Sequence, residues 1–422
     1  MQDAEASEPP NRWIITLIVV AFAQALGTGG ISLVYPFLPI YVQTLQDAHL
    51  INRELLAGLV IAVPPLMATF STPFWGRLAD HFGRKKMVIR ALLCSAVILC
   101  LMGFAQTALV LILLRALQGL TSGLIAANMA LVAGECPRER MGFALGTLQV
   151  GLFGGVAIGP IVGGVLAEHF GFQVPFFFTS GMLLLAGLLV AFGVKEAYTP
   201  AKDRTLNIRP SEMLSAWRDI LKIQGVRTVY SLRFLNGFAQ RSLMPIAPLF
   251  VMALIPTAVA SASTYAGLVL TVSAIATTVG SLLLGWISDK WGYRRILLGA
   301  AFVAMMFYIP QAFVGNVGQL LLFQALAGLA AGGVLSAPAA MLANFTALGD
   351  EGSVYGLDAS VSSFANGMAP LTASVIAAIF GLRAVFAAVA IYYLLIFLIA
   401  LQFLPKPRRR SLRWSPGFAG GD

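Results

Sequence analysis

About twelve stretches of roughly 20 apolar residues follow one another between Trp13 and Leu404, each as long as a helix needs to cross the hydrocarbon core of a bilayer. That feature decides the solvent. A chain that is 58% hydrophobic and 11% charged, with mean hydropathy +0.84, has too little polar surface to cover a soluble globule of 422 residues. Runs such as Leu109 to Leu114 and Tyr392 to Leu401 are apolar throughout. Strands of a membrane barrel alternate apolar and polar at every second residue, so the spans are helices. The first stretch, Trp13 to Ile40, is too long for a secretory leader and lacks a small-residue cleavage site, and it reads as a retained span.

The expected spans are Trp13 to Ile40, Leu55 to Leu78, Met87 to Phe104, Ala108 to Val132, Met141 to Leu166 and Val174 to Val194. Six more follow: Val229 to Leu254, Tyr265 to Ile287, Ile296 to Val314, Leu320 to Leu342, Val354 to Phe380 and Ala384 to Leu404. One long polar connection divides six from six. The expected organisation is a tail over 1–12, a six-helix bundle over 13–194, a linker over 195–226, a second bundle over 227–404 and a basic tail over 405–422. In the linker, Met213, Leu214, Trp217, Ile220 and Leu221 recur at helical spacing after Pro210 and Ser211. This fits an amphipathic surface helix, and it fits a plain tether equally.

Charge sets the orientation. All but five of the 28 Lys and Arg fall in the tails or in the connections of one side. Arg53 and Arg383 fall on the other side, and Arg115, Arg233 and Arg241 lie within spans. Positive residues near span ends stay cytoplasmic, so both termini are expected inside and the number of spans even. The net charge of +10 is then a topology signal rather than a nucleic-acid footprint. The tail cations Lys406, Arg408, Arg409, Arg410 and Arg413 can also meet anionic lipid. Cys94, Cys100 and Cys136 have no metal-ligand spacing, and neither a disulfide nor zinc is expected.

The two halves repeat each other at one offset of 209 residues. Pro36 and Pro39 match Pro245 and Pro248; Gly76, Asp80 and Gly83 match Gly285, Asp289 and Gly292; Arg84 and Lys85 fall on Tyr293 and Arg294. Arg115-Ala-Leu-Gln118-Gly119 aligns with Gln324-Ala-Leu-Ala327-Gly328 at the same spacing. A duplicated six-helix bundle is an architecture of transporters that bind substrate between their halves, near the bilayer midplane.

Three local patterns carry further meaning. After the second span comes Gly76-Arg77-Leu78-Ala79-Asp80-His81-Phe82-Gly83-Arg84-Lys85-Lys86, in which Gly76 permits close helix approach, Gly83 a tight turn, and the cations a retained cytoplasmic loop. In the fifth span Gly151, Gly155, Gly159 and Gly163 recur every four residues and give one smooth face, while Pro160 frees a backbone bond. In the fourth span Arg115-x-x-Gln118-Gly119 places a cation in the membrane. Lipid exposure would cost it roughly 2.5 kcal/mol or more, so Arg115 should face the bundle and hold a polar partner.

The loop from Gly76 to Lys86 resembles the signature of the major facilitator superfamily. Gly146, Gly155, Gly159, Pro160, Gly163 and Gly164 match the antiporter motif of its drug:proton exporters at every spacing, and the resemblance covers nearly all of residues 13 to 404. His81 departs from the pattern, which usually has Arg or Lys there, and the eleventh span has Ala369 before Pro370, so the antiporter motif belongs to one half. The resemblance implies an all-α membrane protein of twelve transmembrane helices in two pseudo-symmetric six-helix bundles. It further implies a monomer in the bacterial inner membrane that uses protons and no cofactor, and no enzymatic activity. It assigns the gate to Gly76, Asp80, Gly83, Arg84 and Lys85 with Asp289 and Gly292 as repeat partners, together with the antiporter-motif glycines and Pro160. It also links Arg115, with Gln118, to proton transfer.

The first span lacks the acidic residue that many drug antiporters place there, which moves the expected proton carrier to Asp358 in the eleventh span, paired with Arg233 in the seventh. A static ion pair pinning two helices is the alternative. Gln24, Tyr35, Gln149, Phe153, Asn236, Gln240, Arg241, Phe364 and Asn366 are expected to line a large, partly apolar cavity, acid-poor and therefore suited to neutral or anionic amphiphiles. There is no Gly-x-x-x-x-Gly-Lys-Ser/Thr, and His49, His81 and His169 lie scattered, which argues against ATP hydrolysis. The expected function is proton-coupled export of amphipathic small molecules by alternating access. A lipid or anionic-amphiphile flippase, a proton symporter or facilitator, and a receptor on the same fold remain as alternatives.

Overall fold

The computed structural model describes residues 12–137, 140–196, 218, 225–255, 261–345 and 351–404. Within these, the surroundings of some residues are not described, among them Gly76 and the side chains of Asp80, Asp289 and Asp358. The first half comprises α1 (Arg12–Leu33), α2 (Leu38–Tyr41), α3 (Arg53–Phe82), α4 (Arg84–Met102), α5 (Ala108–Leu120), α6 (Leu124–Glu135), α7 (Met141–Phe170) and α8 (Gln173–Gly193). The second comprises α9 (Val226–Leu254), α10 (Ala262–Trp291), α11 (Tyr293–Gln311), α12 (Val317–Phe345), α13 (Glu351–Phe380) and α14 (Leu382–Phe403). Taken with α1–α2 and α5–α6 as one span each, these are the twelve expected spans. Eleven are long and apolar enough on composition; α4 falls short because Arg84, Lys85, Lys86 and Arg90 occupy its first two turns. Arg90, grouped with the cytoplasmic cations by the charge tally, lies within the expected span Met87 to Phe104 and within α4.

Each half has its own apolar core. In the first, α1 packs on α7 and α8, α3 on α5, and α4 on α8; in the second, α9 packs on α13 and α14, α10 on α12, and α11 on α12 and α14. Large apolar side chains such as Phe192 and Phe313 stand exposed on the outside, where a water-soluble protein would keep few contiguous ones. The duplication shows in the backbone. Gly83 and Gly292 take φ of 98° and 89°, a conformation open to a residue without Cβ, and each turns one helix directly into the next. Next to them Lys85 Nζ donates to the Ala191 carbonyl at 2.7 Å, and Arg294 Nη2 to the Leu401 carbonyl at 2.8 Å.

The duplication also has limits. Pro36 interrupts the first span between α1 and α2, whereas its repeat partner Pro245 lies inside continuous α9. The expected single span Ala108 to Val132 is broken at Thr121 to Gly123, where Gly123 takes φ 123°; its counterpart α12 is continuous. The Arg84 to Lys86 segment is the first turn of α4 rather than a free loop, with its opening N–H groups held by Glu196: Arg84 N donates to Oε1 at 2.8 Å and Lys85 N to Oε2 at 2.9 Å. A carboxylate at a helix N-terminus meets both orphaned donors and the helix dipole. At the opposite end of the molecule Asp47 does the same for α5, accepting from Ala108 N and Leu109 N, while Thr107 Oγ1 accepts from Val110 N at 3.3 Å. The amphipathic linker helix expected over Met213 to Leu221 lies outside the described residues.

Candidate transport pathway

The halves meet along two seams, α3 against α13 and α7 against α10. Small residues set the approach. A Cβ on Gly58 would meet the Ser374 side chain and the Pro370 carbonyl, and one on Gly367 would meet Leu66. On the other seam, Gly164 leaves no room for a Cβ beside Ser263 and Thr264, nor Gly267 beside Pro160 and Ile161. All these contacts lie in the halves of the helices nearer Asp47. A charged clasp joins them: Ser261 Oγ donates to Glu168 Oε1 at 2.8 Å and Thr264 Oγ1 donates to Oε2, so α7 and α10 are tied across the seam by a single carboxylate. Toward the Gly83 end, Gly142 and Gly146 of α7 have open space where a Cβ would stand. The structure is closed at the Asp47 end.

The small residues of α7 divide between two tasks. Gly151, Gly155, Gly159 and Gly163 pack against α1 of their own half, where a Cβ on Gly163 would strike the Leu33 carbonyl and one on Gly155 the Ala25 carbonyl and Thr28 Oγ1. Ser32 Oγ donates to the Gly155 carbonyl at 3.2 Å across this contact. The smooth face expected to serve a gate is therefore an internal α1–α7 junction; Pro160 and Gly164 reach the seam, and Gly146 touches neither partner. Of the signature loop, Gly83, Gly292, Arg84 and Lys85 are placed as above. The Arg84 Nη1 donates to the Ala130 carbonyl at 2.8 Å, while the surroundings of Gly76 and the side chains of Asp80 and Asp289 are not described.

In the first half Arg115 is 2% exposed. Its Nε donates to the Val60 carbonyl at 2.8 Å and its Nη1 to Gln118 Oε1 at 2.8 Å, so the cation faces the bundle and has polar partners on α3 and on its own helix. Gln24, expected to line the cavity, is buried and accepts from Asn128 Nδ2 on α6, which holds it inside the bundle. Tyr35 is half-buried in the turn after α1, Gln149 is half-buried on α7, and Phe153 is exposed.

In the second half a buried polar layer brings Asn236 and Gln240, expected to line the cavity, together with Tyr308, Tyr393 and Ser273, which the sequence did not mark. Tyr308 and Tyr393 stack at 5.3 Å, Tyr393 Oη donates to Asn236 Oδ1 at 3.4 Å, and Gln324 Nε2 donates to Ser273 Oγ at 2.9 Å. Gln240 Nε2 and Gln324 Oε1 are buried and have no partner among the described residues. One signal was available: Gln324 is the repeat partner of Arg115. Arg241 is half-buried, and its Nη1 donates to the thioether of Met244 at 3.4 Å, a weak acceptor. Phe364 is exposed and stacks on Phe234 at 6.3 Å, beside a cleft of about 550 Å³ lined by Arg227, Tyr230, Ser231, Phe234, Leu235 and Val361. Asn366 is half-buried nearby on α13. Arg233 is half-buried on α9, while the side chain of its expected partner Asp358 lies outside the described residues. Among the described residues no three His, Cys, Asp or Glu gather as metal ligands.

The sequence profile described as Major Facilitator Superfamily matches residues 20–250 and again 229–419. The chain is 34% identical over 387 residues to the multidrug resistance protein MdtG of Salmonella schwarzengrund (strain CVM19633), covering 91% of this chain and 94% of that protein. MdtG of Salmonella paratyphi A (strain ATCC 9150 / SARB42) is 33% identical over the same shares. Among solved structures, a bacterial homolog of the human lysosomal transporter Spinster, inward-facing and unoccupied, superposes with a TM-score of 0.76 at 17% identity, covering 97% of this chain and all of that one. The nucleoside transporter NupG superposes with a TM-score of 0.74 at 12% identity, covering 93% and 100%. With two six-helix bundles closed over each other at one end, and relatives matched over nine-tenths of its length, the chain belongs to the Major Facilitator Superfamily of membrane transporters.

Proposed function

We propose that this transporter exports hydrophobic or amphipathic small molecules in exchange for protons, by rocking its two halves about a central site. The observation that carries the reading is the one-ended closure of both seams, which is one of the two states alternating access requires. With the positive residues cytoplasmic and both termini inside, the closed Asp47 end faces outward and the protein stands ready to load from the cytoplasm or the inner leaflet of the bacterial cytoplasmic membrane. The relatives named as multidrug resistance proteins support export of chemically varied compounds. Asp358 carries the proton, Arg233 answers its charge, and Arg115 with Gln118 holds α5 to α3 while the carrier changes state. A bound proton must favour one facing state over the other for exchange to be coupled. The unit is a monomer.

A second reading rests on Arg241. Its guanidinium holds a thioether where an anion would bind far better, which favours anionic amphiphiles as cargo. Both readings are tested by substrate-induced proton release from acid-loaded proteoliposomes, with cationic, neutral and anionic amphiphiles and with wild type against Asp358→Asn. Release by wild type alone supports exchange through Asp358. Transport without proton movement in either protein replaces exchange with facilitated passage or lipid flipping. Arg241→Ala should weaken the anionic compounds selectively; equal loss for all removes the second reading.

A further inference from the structure

The break in the fourth span is held by a cation that the transport pathway does not use. Arg90, two turns inside α4, lays its guanidinium 3.3 Å over the Trp75 ring of α3 and donates from Nη2 to the Ser122 carbonyl at 3.3 Å. Trp75 Nε1 in turn donates to the Leu120 carbonyl at 2.7 Å, so α3 and α4 together grip the unwound residues between α5 and α6. The grip leaves donors over. Arg90 Nε and Nη1 are buried without a hydrogen-bond partner among the described residues, and so is the hydroxyl of Ser122. A ring face attracts a cation but accepts no strong hydrogen bond, and a buried cation with idle N–H groups is costly unless an anion meets it. The repeat position in the second half is Gly299, on a helix that faces the continuous α12, so this arrangement occurs once.

An oxyanion admitted beside Ser122 would meet these three groups, which lie covered in this state, and the charge. Its surroundings specify what the anion is attached to. Phe70 and Phe74 of α3 and Leu117 and Leu120 of α5 are exposed along the same contact, where Ser71 Oγ donates to the Gly119 carbonyl at 3.0 Å and holds the helices side by side. These rows offer a bed for an acyl chain. The same end of the bundle carries Arg84, Lys85 and Lys86, which raises the local concentration of acidic lipid. We propose that Arg90, Trp75 and Ser122 form a binding site for the phosphate of an anionic phospholipid, its acyl chain lying along Phe74 and Leu120, and that the bound lipid stiffens the α5–α6 joint.

The test is the melting temperature of the full-length protein in phosphatidylcholine nanodiscs titrated with phosphatidylglycerol, dodecyl phosphate or inorganic phosphate. Phosphatidylglycerol should stabilise wild type and an Arg53→Gln control at the opposite end of the molecule alike, and inorganic phosphate should not. Arg90→Gln should weaken the half-maximal effect by about tenfold or more, since hydrogen bonds to a charged group are lost. Ser122→Ala, which leaves the carbonyl grip intact, should weaken it less. A folded Arg90→Gln that keeps the wild-type response overturns the site, and stabilisation by dodecyl phosphate alone overturns the lipid assignment in favour of a soluble amphiphile. If Arg90→Gln fails to fold, Ser122→Ala decides: a weakened response supports the site and a full one refutes it.

Discussion

Gln118 is the side chain on which Arg115 depends. Among the described residues it supplies the one side-chain acceptor that the buried guanidinium holds, at 2.8 Å, and the Val60 carbonyl supplies the other bond. Gln118→Leu should cost about 2 kcal/mol, the worth of a hydrogen bond to a charged group, read as unfolding free energy in mixed micelles. An unchanged value would mean that Arg115 finds another acceptor. Asp47 offers a pH test outside the spans. The Ala108 N–H, with that of Leu109, holds its carboxyl below the usual carboxylate range. A depressed folded pKa contributes stability that is present above the unfolded value near 3.9 and is lost as pH falls through the folded one. Asp47→Asn should therefore narrow its stability gap to wild type as pH falls below about 4, measured by thermal unfolding across pH. At this scale the sequence was informative about Arg115: a cation inside a span needs polar partners, and Arg115 has two. It was silent on Asn128, Tyr308 and Tyr393, because a neutral polar group in a membrane helix is recognisable only once the helices that face it are known.

At the scale of the element, one repeating pattern served two purposes. A four-residue spacing of small residues predicts close packing correctly, but it does not say against which neighbour. Here the ridge from Gly151 to Gly163 meets α1, and of the motif residues Pro160 and Gly164 meet α10. Gly163→Ala should push α1 away from α7, because its Cβ would strike a backbone carbonyl that cannot rotate aside. We expect little folded protein from this variant by size-exclusion chromatography. Gly146→Ala, with open space at the same motif, should fold normally and gain up to about 1 kcal/mol in helix propensity. Equal behaviour of the two would contradict the assignment of the ridge. Span positions and the duplication were likewise legible, since length, hydropathy and a fixed offset are properties of the chain alone. The breaks were not. Pro36 and Pro245 are the same residue at equivalent places, and only the first interrupts its helix.

At the scale of the whole molecule, closure at the Asp47 end relies on small residues packed across two seams and on Glu168. The packing sets how closely the helices approach; the carboxylate is directional, with both oxygens engaged by hydroxyls of the other half. Glu168→Ala should shift the population toward the state open at that end. Spin labels on His169 and Tyr265, which flank the clasp, should report a second, longer distance in the variant, and Ser261→Ala with Thr264→Ala should reproduce it. A single short distance in all variants would leave closure to the packing alone. The seam itself was foreseeable from the duplication, whereas the clasp was not: a glutamate at the end of an apolar helix looks like an interfacial residue until the facing helix supplies its donors.

The two bundles are unequal as mechanical parts. The first has joints at Val34 to Phe37 and at Thr121 to Gly123, and the second carries its corresponding helices through without interruption. When such a pair swings, strain collects in the compliant partner and the stiff one moves as a lever. On the proposed rocking motion the amino-terminal bundle would act as the spring and the carboxy-terminal bundle as the arm, and a compound that wedges either joint would stall the swing without occupying the place where cargo sits.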